Sequence, residues 1–266
     1  MMNVRAYGCK PYRIVAVHGG PGALGGLAGL AGDIESMTGC GVIEPMQTRF
    51  SIDGLIKELK DQIEVFCSPP VFLIGHSWGA WLTGLTAGRY PDLVRKVVLI
   101  GCAPLDESFV SQIAQRRIKN MTPAERKEFV SLVSLMESGS NDNDMDKKLE
   151  RLGVLVDGSD FYDRIESEVE ETVSINGMMY SQVWTEASKM RKSGALVSCF
   201  KGLKMPISII HGSWDPHPYE GTTSPLKLAG LEFNEHILEK CGHTPWKEKY
   251  ARIEFYSILV RELSMV

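Results

Sequence analysis

Gly75-His76-Ser77-Trp78-Gly79 spells Gly-x-Ser-x-Gly behind the apolar run Val71-Phe72-Leu73-Ile74 and ahead of the helix-like run Ala80-Trp81-Leu82-Thr83-Gly84-Leu85. A serine at a tight strand-to-helix bend is held outward on a strained backbone. The glycines two positions to either side are needed because a Cβ there would strike the adjoining strand and helix. The chemistry such a bend serves is attack by a hydroxyl, which makes Ser77 the candidate nucleophile. The helix starting at Trp78 aims free N–H groups and its positive dipole end at the space above the serine, so the Trp78 N–H is a candidate donor to a developing oxyanion.

A second donor should come from a loop after another strand. Arg13-Ile14-Val15-Ala16-Val17 reads as a buried strand and runs into His18-Gly19-Gly20-Pro21-Gly22, whose glycines let the backbone approach a bound group. The N–H of Gly20 is the second candidate donor. A phosphate-cradling loop is the competing reading of such a turn. It is disfavoured because the Walker lysine and the Gly-x-Gly-x-x-Gly spacing are absent and Pro21 removes one donor. His18 is expected to brace its loop, and His76 to point away from Ser77 and pack beneath the bend.

A serine hydroxyl is a weak nucleophile, so it needs a base, and the base needs an acid to fix its tautomer. Both follow in the order Ser, Asp, His. Pro206 to Gly212 is a strand running into Ser213-Trp214-Asp215-Pro216, and Glu232 to Leu238 leads into Cys241-Gly242-His243-Thr244. Asp215 and His243 therefore lie beyond strand ends, at the edge of an open parallel sheet where ligands bind. Asp106 is the competing acid, placed after a different strand. His211 and His217 flank Asp215 and raise a metal site as an alternative. Pro216 and Pro218 stiffen that loop and no further ligand spacing is visible, so no metal is expected.

The elements that position these residues are βα units. Gly41 to Ile43 is a short strand, and Ile52 to Phe66 carries apolar residues at 52, 55, 56, 59, 63 and 66, which is helical spacing. Val71 to Ile74, Val97 to Ile100, Ile207 to Ile210 and Phe233 to Leu238 are further strands. Their nearly continuous apolar character predicts a sheet covered on both faces, doubly wound and mainly parallel. About a dozen residues precede the first clear strand, which predicts a shortened N-terminal part of that sheet.

Between Pro104 and about Lys201 the strand rhythm stops and helical patterns take over. The chain thus divides into a core, residues 1–103 and 202–266, and an inserted helical cap, residues 104–201. Thr122-Pro123-Ala124-Glu125 reads as a capped helix start running through Met136. Gly139 to Asn143 reads as a loop, and Met145 to Val156 and Met178 to Met190 as helices. From Asp157 to Glu171 acidic residues dominate, with Arg164 the one basic residue; a solvated face is favoured over a carboxylate-lined amine pocket. Met178, Met179 and Trp184, with Tyr180, are candidates for an apolar substrate pocket, against ordinary helix packing.

The chain resembles the α/β-hydrolase superfamily, nearest the His-Gly-Gly-Pro-Gly group that includes prolyl iminopeptidases and small carboxylesterases. The matching motifs are His18 to Gly22, Gly75 to Gly79, Arg89-Tyr90-Pro91, Asp215 and Gly242-His243. The resemblance implies Ser77 as nucleophile, His243 as base, Asp215 as orienting acid, Gly20 and Trp78 as oxyanion donors, and no cofactor. The Trp-x-x-Trp-Glu pattern associated with iminopeptidases is missing, and Val183-Trp184-Thr185-Glu186 echoes it only in part. Hydrolysis of a small ester by acyl transfer is thus the leading expectation. Iminopeptidase-like and carbon–carbon hydrolase or lyase chemistry stay open beside it, with ligand binding without catalysis behind them.

Composition agrees with an enzyme acting on a small molecule. A 266-residue chain that is 44% hydrophobic and 23% charged can bury a large core. Its formal net charge of −4 offers no attraction for nucleic acid or an anionic membrane. Six scattered cysteines without paired spacing suggest free thiols. With no signal-like segment in Met1 to Lys10 and no run of membrane-spanning length, a cytoplasmic location is expected.

Overall fold

The computed structural model describes residues 3–119, 121–138, 144–166 and 173–264. Among the described residues there are nine strands: β1 (Val4–Tyr7), β2 (Tyr12–Val17), β3 (Ala23–Leu24), β4 (Gly41–Pro45), β5 (Cys67–His76), β6 (Val94–Ile100), β7 (Ser174–Ile175), β8 (Ile207–Gly212) and β9 (Asn234–Leu238). Seven of them form one sheet in the order β1-β4-β2-β5-β6-β8-β9, parallel throughout except for β1. The expectation of a mainly parallel, doubly wound sheet holds.

Two helices cover one face, α1 (Ala28–Thr38) and the C-terminal α10 (Arg252–Ser264). The other face carries α2 (Ile52–Phe66), α3 (Trp78–Arg89) and α8 (Ala195–Phe200). Strand residues alternate between the two. Val15, Val17, Val97 and Leu99 pack with Leu59, Trp81 and Phe200, while Ile14, Ala16, Val98 and Ile100 pack with Ile34, Phe255 and Leu259. Because successive side chains of a strand point to opposite faces, burying both requires apolar residues at consecutive positions, and that is the pattern read from the sequence. Near the sheet edge, the α10 carboxylate Glu262 takes a 2.6 Å bond from Lys96, and both are buried.

The opening of the chain is short but not empty. β1 runs antiparallel to β4 with Val4 opposite Pro45 and Tyr7 opposite Val42. Three of its four residues are only half-buried, Ala6 is exposed, and they make no apolar run, so nothing in their pattern marks a strand.

Between β6 and β8 the described residues form, apart from β7, chiefly helices: α4 (Val110–Ile118), α5 (Pro123–Glu137), α6 (Met145–Asp160), α7 (Gly177–Lys192) and α8. Thr122 and Glu125 form the predicted capping box. This segment has a core of its own, with Phe129, Met136, Met145, Leu149 and Leu152 packed together. β7 pairs with β3, and Asn176 N–H donates to the Gly22 carbonyl at 2.6 Å, so the insertion is stitched to the glycine-rich loop. The loop predicted at Gly139 to Asn143, and the part of the acidic stretch from residue 167 on, lie outside the described residues. The remaining helix, α9 (Glu220–Leu228), connects β8 to β9.

Candidate active site

Ser77 stands between β5 and α3 with φ of 55°, a left-handed backbone rare for a residue with a side chain. Two things hold it there. Its N–H donates to the Ile100 carbonyl of the neighbouring strand at 2.9 Å, and Gly79 lets α3 press against β2, where a Cβ would run into the Val17 carbonyl. Such local strain persists only where the surroundings over-determine it, and it is characteristic of functional sites. The N–H of Trp78, the first residue of α3, has no acceptor inside its own helix. Gly20, with φ of 48°, lies across from it on the wall of the same cavity as Ser77.

Asp215 and His243 meet at the other side of that wall. His243 Nδ1 is 2.8 Å from Asp215 Oδ2, and Asp215 is fully buried. Gly101, at the end of β6, makes room for them: a Cβ there would sit 3.1 Å from His243 Nδ1 and 3.3 Å from Asp215 Oδ2. Asp215 has more partners than the sequence suggests. Oδ1 accepts the His217 N–H at 2.8 Å and lies 3.3 Å from His217 Nδ1, while Oδ2 is 3.2 Å from His211 Nε2. Arg116 Nη1 donates to the Asp215 carbonyl at 2.8 Å. Burial opposes a charge on Asp215, but the surrounding imidazoles overcome it and hold its pKa well below the usual carboxylate range. Burial likewise pulls His243 down, and the Asp215 charge and hydrogen bond more than reverse this, so its pKa is raised. His217, without a dedicated carboxylate bond of that quality, is pushed down by burial to about 4.

Ser77 and His243 together line a cavity of about 240 Å³, with Gly19, His76 and Trp246 among its other walls. No Ser77–His243 hydrogen bond is made among the described residues; such bonds are often long before substrate arrives. On its other side Ser77 opens into a larger cavity of about 660 Å³ beneath the helical insertion. Its walls are Val110, Ile113, Phe129, Val133, Leu149, Leu152, Tyr180 and Trp184, with Arg117, Glu150, Asp157 and His217 as polar members.

Several expectations change in the three-dimensional setting. Trp184 and Tyr180 line the large cavity, but Met178 and Met179 do not, and Met179 is buried against the sheet-side core. Met179 and Tyr180 are consecutive residues of α7, and which face of the helix looks inward is set by packing. His76 does not turn away from the site: its Nε2 lies 2.9 Å from the His243 carbonyl and the two rings are 4.7 Å apart. His18 braces its loop as expected, with Nδ1 2.9 Å from the Gly19 carbonyl. Asp106 caps a short turn through Ser108 and is not the partner of His243. Asp160, within the acidic stretch read as a solvated face, is buried and paired bidentately with Arg117.

Two residues to which the sequence reading gave no role take part in the site. Gln47 donates to the His18 carbonyl at 2.9 Å and accepts Trp78 Nε1–H at 2.9 Å, tying the glycine-rich loop to the start of α3. Glu248, fully buried, accepts the N–H groups of Gly242, Tyr162 and Asp163 at 2.7 to 2.9 Å. Neither belongs to a motif; a polar residue with no periodic place is their only signal.

A family model described as alpha/beta hydrolase fold matches residues 12–135. With the sheet order above, this decides the fold. The chain has the alpha/beta hydrolase fold. Proline iminopeptidase from Heyndrickxia coagulans is 26% identical over 259 residues, covering 89% of this chain and 85% of that one. Ethanol acetyltransferase 1 from Cyberlindnera jadinii is 32% identical over 72 residues, a match that spans 27% of this chain and only 21% of that protein's length. Among solved structures, E-2-(acetamidomethylene)succinate hydrolase superposes with a TM-score of 0.64 at 17% identity, covering 99% and 95% of the two chains. All six cysteines are free thiols. Among the described residues no helix is long and apolar enough to cross a membrane.

Proposed function

We propose that this chain is a serine hydrolase that cleaves a small ester with an apolar acyl group. The observation that carries the reading is the buried His243–Asp215 bond of 2.8 Å facing the same cavity as a serine held at positive φ. In this reading His243 Nε2 takes the Ser77 proton as Oγ attacks the carbonyl carbon. Asp215 stays ionised and keeps the Nδ1–H tautomer in place. The N–H groups of Gly20 and Trp78 receive the oxyanion, each such donor being worth about 3 kcal/mol in the transition state. His243 gives the Ser77 proton to the departing alkoxide as the ester C–O bond breaks and the alcohol leaves. In the second half it takes a proton from the water that attacks the acyl-serine and returns it to Oγ as the acid is released.

Residues 104–201 act as the cap in this account, and the large cavity beneath them holds the acyl group. Its lining is chiefly aliphatic and aromatic, with Trp184 and Tyr180 as the aromatic wall. No cofactor enters the steps, and a reducing, cytoplasmic setting suits six free thiols. A second reading has its own support: Glu150 and Asp157 reach the same cavity and would suit a substrate amine, as in an iminopeptidase.

A fluorophosphonate probe tests the nucleophile, and p-nitrophenyl esters of graded length beside proline and alanine naphthylamides test the substrate. Labelling of Ser77 and ester turnover without amide turnover are expected. Amide turnover alone would hand the site to the peptidase reading, and an unlabelled Ser77 would remove the serine mechanism.

A further inference from the structure

The sequence shows His211 and His217 beside Asp215 but no further ligand to complete a metal site. Folding supplies one. His243, 26 residues beyond His217, brings its Nδ1 to 3.2 Å from His217 Nδ1. His217 Nδ1 is in turn 3.3 Å from Asp215 Oδ1, and the ligand atoms of all three residues lie within 4.8 Å of one another. A tetrahedral zinc ion with bonds near 2.0–2.1 Å sets its ligand atoms about 3.3 Å apart. The two separations from His217 Nδ1 already match that spacing, and the other oxygen of Asp215, Oδ2, stands 2.8 Å from His243 Nδ1.

We propose that Asp215, His217 and His243 form a site for a divalent ion of the zinc class, and that an ion bound there switches off Ser77. Two imidazoles and one carboxylate are the donor set of three-ligand zinc sites, whose fourth position is taken by water. They suit borderline transition metals over magnesium or calcium, which prefer oxygen alone. His217 lines the large cavity, which gives an entry path and a place for that water. His211 Nε2, 3.2 Å from Asp215 Oδ2 and 2.8 Å from the His217 carbonyl, braces both ligands from outside the site.

The consequence for the chemistry follows from the tautomer. A neutral imidazole has one nitrogen lone pair free for bonding and one N–H. When the metal takes the Nδ1 lone pair of His243, the proton that Nδ1 had donated to Asp215 moves to Nε2, and the ring stays neutral. Nε2–H cannot accept the Ser77 proton. The ion therefore inhibits without touching the serine. The inhibitory part rests on the serine-hydrolase reading; the binding part does not.

Chelator-treated, dialysed protein titrated with zinc chloride by calorimetry tests the site directly. We expect one zinc ion per chain, no heat with magnesium, and at least a tenfold weaker affinity in His217→Gln, about the minimum expected when a metal-site residue is lost. Cobalt(II) added to the unaltered protein should give the intense visible absorption of a four-coordinate site, a readout that needs neither variant nor activity. Ester turnover should fall with zinc, recover with EDTA, and lose its zinc sensitivity in His217→Gln. No stoichiometric zinc binding, a six-coordinate cobalt spectrum, or equal zinc affinity in folded His217→Gln would each overturn the proposal. A protein that binds zinc but never turns over esters leaves the site standing and counts against the serine mechanism alone.

Discussion

The main-chain N–H of His243 donates to the carbonyl of Asp160 at 2.7 Å. The imidazole proposed as the base is thus held by the last residue of α6, in the helical insertion, as well as by the loop after β9. Asp160 is itself fixed by the Nε and Nη2 of Arg117, at 2.9 and 2.6 Å, and the adjacent Arg116 grips the Asp215 carbonyl. One turn of α4 therefore reaches both the acid and the base.

Removing the Asp160 carboxylate leaves Arg117 charged and poorly solvated, while the carbonyl that holds His243 remains. Asp160→Ala should cost about 2–3 kcal/mol in urea denaturation, somewhat under the usual loss for a fully buried pair. It should also lower kcat about tenfold by loosening His243. Unchanged stability and unchanged kcat together would show that the insertion does not position the imidazole.

Ser77→Ala deletes the proposed nucleophile without disturbing the bend's glycines. Turnover should drop by about six orders of magnitude, as in serine-protease triads, with the melting temperature nearly unmoved. Activity within tenfold of the original would take Ser77 out of the chemistry.

The raised pKa of His243 places the acid limb of kcat/KM above 6.5, its ordinary value, because the protonated ring cannot accept the Ser77 proton. Stability should also fall on that side. His18 and His217 are held neutral by burial down to about 4, whereas in the unfolded chain they take protons near 6.5. The unfolded state then binds more protons, so stability declines as pH drops from 6.5 toward 4. His243 works in the opposite sense, but His76, also pushed well down, adds to the loss. Denaturation at pH 5.5 should read about 1–3 kcal/mol less stable than at pH 7.5.

Leu149 is buried on the wall of the large cavity. Leu149→Trp should fill the far part of that space, reducing kcat/KM for long p-nitrophenyl esters by about tenfold, a loss of about 1.4 kcal/mol, and sparing the acetyl ester. Equal losses for both lengths would place the acyl chain elsewhere.

Gly79 and Gly32 separate two roles of the same residue. A Cβ at Gly79 meets the Val17 carbonyl, whereas one at Gly32, inside α1, meets nothing within 4 Å. Gly79→Ala should destabilise by about 3 kcal/mol or more, and Gly32→Ala should stabilise by about 0.5–1 kcal/mol. Thermal denaturation of the two variants gives the comparison.

Much of this was legible before any coordinates. Consecutive apolar residues such as Val97 to Ile100 can be buried only by a sheet covered on both faces, so pattern alone determined its doubly wound character. The Gly-x-Ser-x-Gly bend was equally legible, since the serine and its flanking glycines are five consecutive positions, although the φ of Ser77 is held by Ile100 and Val17 of other strands. Asp215 and His243 could be placed at strand ends because the turns after β8 and β9 follow directly from the strands. What tertiary structure alone decided are the meetings between distant segments. Those meetings are Asp160 under His243, Glu248 between the insertion and the histidine loop, Gln47 bridging His18 and Trp78, and His217 beside His243. No periodicity records them, because each depends on the distance and angle between separately formed elements. The same holds for the choice of Trp184 over Met179 as cavity wall: the helix was visible in the sequence, but its rotation about its own axis was fixed by the surfaces it packs against.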